Sequence, residues 1–100
     1  MIRGTTPTIR IGIKNIDLTQ LEAFYLTFKQ NNVVVEKNID EVIIDEENSC
    51  VICKLTQEDT LKLNYGPAEM QIRLKDTAGL AFATTIKTID VGKILKGGVI

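Results

Sequence analysis

In Thr8-Ile9-Arg10-Ile11-Gly12-Ile13-Lys14 isoleucine takes every second position, with Arg, Gly and Lys between. A period of two turns all three isoleucines to one face of an extended chain and predicts a half-buried strand. Ala68 to Asp76 repeats the pattern, with Met70, Ile72 and Leu74 on one face and Gln71, Arg73 and Lys75 on the other. Further on, Leu80, Phe82, Thr84 and Ile86 share a parity that Ile89 and Val91 do not. One extra residue near Lys87-Thr88 would return the second set to the core, so a β-bulge is expected there. Between these segments Asn32 to Asn38, Glu41 to Asp45 and Ser49 to Leu55 are short apolar runs bounded by Asn, Asp or Glu, and each reads as a strand.

Two segments carry helical signals. Asp17-Leu-Thr-Gln20 has the spacing of a capping box, and Leu18, Leu21, Tyr25 and Phe28 follow at helical intervals. The competing pattern places Phe24, Leu26 and Phe28 on one strand face and leads into Gln30-Asn31-Asn32, a turn sequence; the strand is the favoured reading of residues 18–29. At Thr56-Gln-Glu-Asp59 a Thr cap and an acidic first turn start a helix that Gly66-Pro67 soon ends, predicting a short helical crossover near residues 56–63. Short strands with turn signals about every ten residues describe an all-β sandwich or barrel.

Composition agrees. Fourteen Ile, seven Val and eleven Thr make the chain rich in β-branched side chains that suit a pleated surface. At 100 residues it fits one domain, residues 1–100, with an ordered core expected over about 7–95 between loosely composed ends. A net charge of −1 argues against nucleic acid or an anionic membrane as partner. The opening MIRGTTPT has no apolar stretch of the kind that directs secretion, so the chain is expected in the cytoplasm when synthesised.

Candidate chemistry is sparse. Cys50 and Cys53 form a C-x-x-C, but a redox pair needs a helix N-terminus and a zinc pair needs a tight turn plus further ligands. In a strand the two point to opposite faces about 10 Å apart, too far for a disulfide. With no histidine and no third cysteine, they read as structural: Cys53 in the core beside Val51 and Leu55, Cys50 on the other face. Asp45-Glu46-Glu47-Asn48 lacks the glycine and ligand spacing of a calcium loop and reads as a solvated hairpin turn. No carboxylate or lysine is fixed near a nucleophile, so neither catalysis nor a cofactor or metal is expected. Tyr25 and Tyr65 are the candidate stacking aromatics.

The layout as a whole supports a family resemblance. Gly4-Thr-Thr-Pro7-Thr before the Ile-alternating strand, then Leu26-Thr-Phe28-Lys-Gln30, Leu55-Thr-Gln-Glu-Asp-Thr60-Leu61, Gln71-Ile72-Arg73-Leu74-Lys75 and Ala83-Thr84-Thr85 together resemble small phage and prophage structural proteins of Gram-positive bacteria. In particular the chain looks like the N-terminal β-sandwich domain of baseplate upper proteins. The Leu55–Leu61 corner also looks like the crossover between the sheets of an immunoglobulin-like domain, without that family's Tyr-x-Cys and core Trp. The resemblance implies an immunoglobulin-like antiparallel β-sandwich of about seven strands. It further implies a non-enzymatic tail or baseplate protein whose partners are other phage structural proteins or itself, in a multi-copy virion assembly. The alternative is a module that binds a cell-surface glycan or protein through Tyr25, Tyr65 and nearby loops.

Parity supplies a candidate interface. With Val51, Cys53 and Leu55 inward Ile52 faces out, and with Val42 and Ile44 inward so does Ile43. Joined by Val34, these would form an apolar patch, and Ile94 and Leu95 of the C-terminal segment are expected to dock on it or to add an edge strand to a neighbour.

Overall fold

A computed structural model covers residues 1–100 and shows two antiparallel β-sheets packed face to face, the expected all-β sandwich. In chain order the strands are β1 (Thr8–Gly12), β2 (Leu21–Gln30), β3 (Val33–Asn38), β4 (Ile43–Asp45), β5 (Cys50–Lys54), β6 (Gly66–Asp76), β7 (Ala81–Ala83) and β8 (Lys87–Val91), with one helix, α1 (Gln57–Leu61). One sheet has three strands in the order β1-β5-β4, and the other has the order β3-β2-β6 with β7 and β8 in succession along the far edge of β6.

The alternating segments bury the faces their sequences predict. Phe24, Leu26 and Phe28 of β2 are fully enclosed, while Tyr25 between them is exposed. Residues 21–30 are therefore strand, and the helical signal before them is spent on one 3-10 turn, Leu18–Gln20, whose Thr19 amide donates to the Asp17 cap. Ile72 and Leu74 of β6 meet them in register, Leu26 opposite Ile72 and Phe24 opposite Leu74. From the smaller sheet Val51 and Cys53 close the core, with Ile9 opposite Cys53 and Ile11 opposite Val51. The β2–β3 hairpin turns on Asn31 at φ 54°, a left-handed conformation that Asn tolerates.

Chain passage between the sheets occurs where the Thr56 signal places it. Thr56 accepts from the Asp59 amide, and the Asp59 carboxylate accepts in return from the Thr56 amide, a complete capping box. Arg3 then reaches the other end of α1 and donates to the Leu61 and Leu63 carbonyls. The first residues thus belong to the ordered fold, although the composition placed its start near residue 7. Ile2 forms a parallel bridge with Gly92, and the buried Thr60 hydroxyl donates to the Thr5 carbonyl at 2.8 Å.

The expected bulge is present but earlier and broader. From Ala83 to Lys87 the chain advances four residues while β6 advances three, from Arg73 to Met70. That extra residue lies within 84–86, not at Lys87-Thr88, and it divides one expected strand into β7 and β8. Thr84 makes the break tolerable: its amide donates to the Ile72 carbonyl, and its hydroxyl accepts from the Ile72 amide in place of a backbone oxygen. The parity shift is real, yet Leu80, Phe82 and Ile86 are 59%, 40% and 58% exposed. Phe82 faces the same side as the buried Leu74 opposite it, but the three-stranded sheet is too narrow to cover this edge.

Candidate functional site

The two thiols lie as the strand geometry requires. Cys53 is fully enclosed in the core, and Cys50, on the opposite parity, is also buried, with its sulfur 3.9 Å from Asp45 Oδ2. Burial pushes the Cys53 thiol up, and the Lys37 ammonium offsets only part of this. A protonated, enclosed thiol is a poor nucleophile. Both cysteines are free. We expect two thiols to react with a thiol reagent only on unfolding, and the intact mass to be that of the reduced chain; a mass about 2 Da lower would contradict the strand geometry.

Asp45 to Asn48 forms the β4–β5 turn. The Asn48 amide and side chain both donate to the Asp45 carboxylate, which holds that carboxyl below its usual range. Its oxygens thus close a hairpin. No group of three or more His, Cys, Asp or Glu side chains gathers in a metal-binding arrangement.

A polar cluster that the sequence reading missed lies at the edge of the core. Lys37 sits on the inward parity of β3, beyond Val33 and Val35, and its Nζ is 2.8 Å from Asp59 Oδ2 and 3.6 Å from Glu41 Oε2. The Lys37 and Asp59 side chains are only 13% and 11% exposed. The hydrogen bond from Lys37 to Asp59 raises the lysine pKa against the opposing effect of burial. Burial pushes the Asp59 carboxyl up, but hydrogen bonds from Lys37 and from the Thr56 amide and hydroxyl outweigh it and hold the carboxyl low. The pair ties β3 of one sheet to the helix that leaves the other. Its signals were the lysine on a core parity and the T-x-x-D box; what joined them was long-range folding. Gln30 acts similarly, its buried amide donating to the Asn64 and Pro67 carbonyls and accepting from the Asn64 amide. No buried side-chain nitrogen or oxygen is left without a partner, so no orphaned polar group marks a ligand site.

The predicted interface residues separate into three places. Ile43 and Ile52 are directly opposite each other on the outer face of the three-stranded sheet, beside Arg10; Ile43 is 53% exposed and Ile52 half-buried. Val34 does not join them: it lies across from Lys29 on the outer face of the other sheet. Ile94 is half-buried against Gly4 and Leu61, and Leu95 is fully exposed. The outer patch is therefore a pair of isoleucines. Tyr25 and Tyr65 are not brought together either. Tyr25 stands opposite Arg73, whereas Tyr65 precedes Gly66 at the far end of β6, about 26 Å away at strand rise, with the Lys93 ammonium 4.6 Å from its ring centre.

Unpredicted is an apolar groove of about 190 Å³ between the two sheets. Ile11 and Ile13 form one wall, Ile72 and Leu74 the floor, and Phe82 the other wall, with Ile16 at one end. It opens between β1 and β7, each the last strand of its sheet on that side. No family model matches the chain, no curated protein is similar to it in sequence, and no solved structure matches its fold. No helix is long and apolar enough to cross a membrane.

Proposed function

We propose that this chain is a non-enzymatic structural domain that works by protein–protein contact, in many copies, as a tail or baseplate component of a phage or prophage virion. The single observation that carries the contact role is the free edge of the five-stranded sheet at β7, where the exposed Phe82 borders the groove between the sheets and the exposed Leu80 lies at its Asp76 end. An uncharged apolar edge of this kind is a template for pairing with another chain. The phage setting is supported by the sequence resemblance.

Light scattering tests the reading. The wild-type chain is expected to rise above its monomer mass of 11.1 kDa as concentration approaches about 1 mM, where contacts of about −4 kcal/mol register. Ile43→Lys with Ile52→Lys separates the outer face from the edge: association that survives both lysines assigns the contact to the edge. A chain that stays monomeric throughout overturns self-assembly. A second reading, glycan binding, is favoured only by Tyr25 opposite Arg73 on an exposed sheet face. Retention on purified cell-wall glycan, lost in Tyr25→Ala, would support it instead.

A further inference from the structure

Two capping boxes aim their carboxylates at one lysine. Asn38 and Glu41 complete the box on the 3-10 turn Ile39–Glu41, and Thr56 and Asp59 complete the one on α1. The Asn38 amide donates to Glu41 Oε1 at 3.2 Å and the Thr56 amide donates to Asp59 Oδ2 at 2.9 Å, so both carboxylates are held in place. Between them stands Lys37, on the inward parity of β3 and opposite Leu26. Its Nζ is 2.8 Å from Asp59 Oδ2 and 3.6 Å from Glu41 Oε2. None of the three side chains lines the groove between β1 and β7.

A nearly buried ion pair adds little stability over apolar side chains of the same volume, so stability alone does not account for a lysine at this core position. The cluster does have the parts of a condensation: a primary amine, a carboxyl carbon within its reach, and a second carboxylate beside the same nitrogen. An Nζ held 2.8 Å from one carboxylate oxygen lies about 3.5 Å from the carbon that bears it, the separation of reactants poised to combine. Burial of Lys37 and Asp59 keeps bulk water from competing for that carbon. Glu41 is 44% exposed in its side chain and leaves a way out for a released water.

We propose that Lys37 and Asp59 condense in the folded chain to an amide, with Glu41 carrying the protons, so that a covalent cross-link joins β3 of one sheet to the helix that leaves the other. The ion pair is the reactant. Glu41 relays a proton from Nζ to the Asp59 carboxyl, which leaves a neutral amine facing a neutral acid. The Nζ lone pair then forms the bond to Cγ while the carbonyl π pair moves onto Oδ2, where the Thr56 amide donates to the new oxyanion. Glu41 takes a second proton from Nζ and gives it to the departing hydroxyl. As that C–O bond breaks, the pair on Oδ2 re-forms the carbonyl; the products are one amide and one water, and Glu41 ends as it began. The step occurs once per chain and does not depend on the assembly reading above. Until it occurs, the chain keeps the mass of its reduced form and the pH dependence of the ion pair.

Intact mass measured in denaturant tests this. Folded wild type held for about a week at pH 7 is expected to give a species about 18 Da lighter than the reduced chain, with the peptides that contain Lys37 and Asp59 joined after proteolysis. Lys37→Arg keeps a cation against Asp59 but supplies no comparable nucleophile, and it should stay at full mass. Glu41→Gln can still accept from the Asn38 amide, and by removing the proton carrier it should slow the bond at least about tenfold. Thermal melts show that each variant is folded, and the wild-type measurement decides the matter even where a variant is not. Wild type that remains wholly at full mass overturns the proposal. A loss of the same size that persists in Lys37→Arg also overturns it, because the dehydration then lies elsewhere in the chain. Formation at the wild-type rate in Glu41→Gln overturns the proton route assigned to Glu41.

Discussion

Phe28→Ala is expected to destabilise the chain by about 4 kcal/mol, measured as a shift in the midpoint of denaturant unfolding at constant slope. Phe28 is completely enclosed, opposite Val35 on one side and Met70 on the other. Its removal loses the transfer energy of a large aromatic and leaves a cavity between two sheets whose paired backbones cannot close inward. In a domain with a total stability of about 5 to 15 kcal/mol, that is a large fraction. Val51→Ala and Ile72→Ala, also buried, should each cost about 2 kcal/mol or more. Ile11 is on the same parity but borders the open groove, so truncation there should cost less. Arg10, Lys54 and Arg73 face outward and should tolerate Ala within about 0.5 kcal/mol. If the charged set proves the costly one, the strand registers are inverted.

Asp59→Asn is expected to cost about 3 kcal/mol at pH 7, because it leaves the Lys37 ammonium nearly buried with only the more distant Glu41 for a partner. The amide can still accept from the Thr56 backbone, so the loss reports mainly the ion pair. Its dependence on pH has a definite sign. The folded carboxyl of Asp59 is held below its unfolded value, so its contribution is complete above about pH 4 and is lost as pH falls through the lower folded value. Lys37 is raised in the folded chain, so its contribution is complete below about pH 10 and is lost as pH rises through the folded value. Between these limits the gap between wild type and variant should be flat, and in acid it should shrink as the wild-type carboxyl takes up its proton. Denaturant unfolding of both proteins at pH 7 and pH 3 measures this. A gap that persists undiminished well into acid would assign the loss to the capping box alone.

Val33-Val34-Val35-Glu36-Lys37 shows what alternation reports and what it does not. It assigns Lys37 to the inward face as firmly as Val35, and the structure agrees, with Lys37 only 13% exposed in its side chain. Inward parity is a statement about the strand alone. The carboxylate that makes it tolerable comes from a helix distant in sequence, and only the folded chain brings it within 2.8 Å. Val34 shows the same limit on the outside: its outward parity is correct, but the expected union with Ile43 and Ile52 required knowing which sheet it joins. β3 pairs with β2, while β4 pairs with β5 in the other sheet.

Strand identity and facing were therefore set by the sequence itself wherever side chains alternate, in β1, β2 and β6, because a period of two has one geometric solution when one face is buried. The helical crossover was equally local, since Thr56 and Asp59 complete their box within a single turn. Tertiary structure decided which faces are covered. Phe82 follows the core parity and still stands 40% exposed, because a three-stranded sheet is laid against a wider one and does not reach its edge. The same mismatch of sheet widths opens the groove between β1 and β7, and residues 1–3 close the seam only at its other end. Local pattern fixes the direction in which a side chain points; whether anything lies in that direction depends on how many strands the opposing sheet gathers from distant parts of the chain.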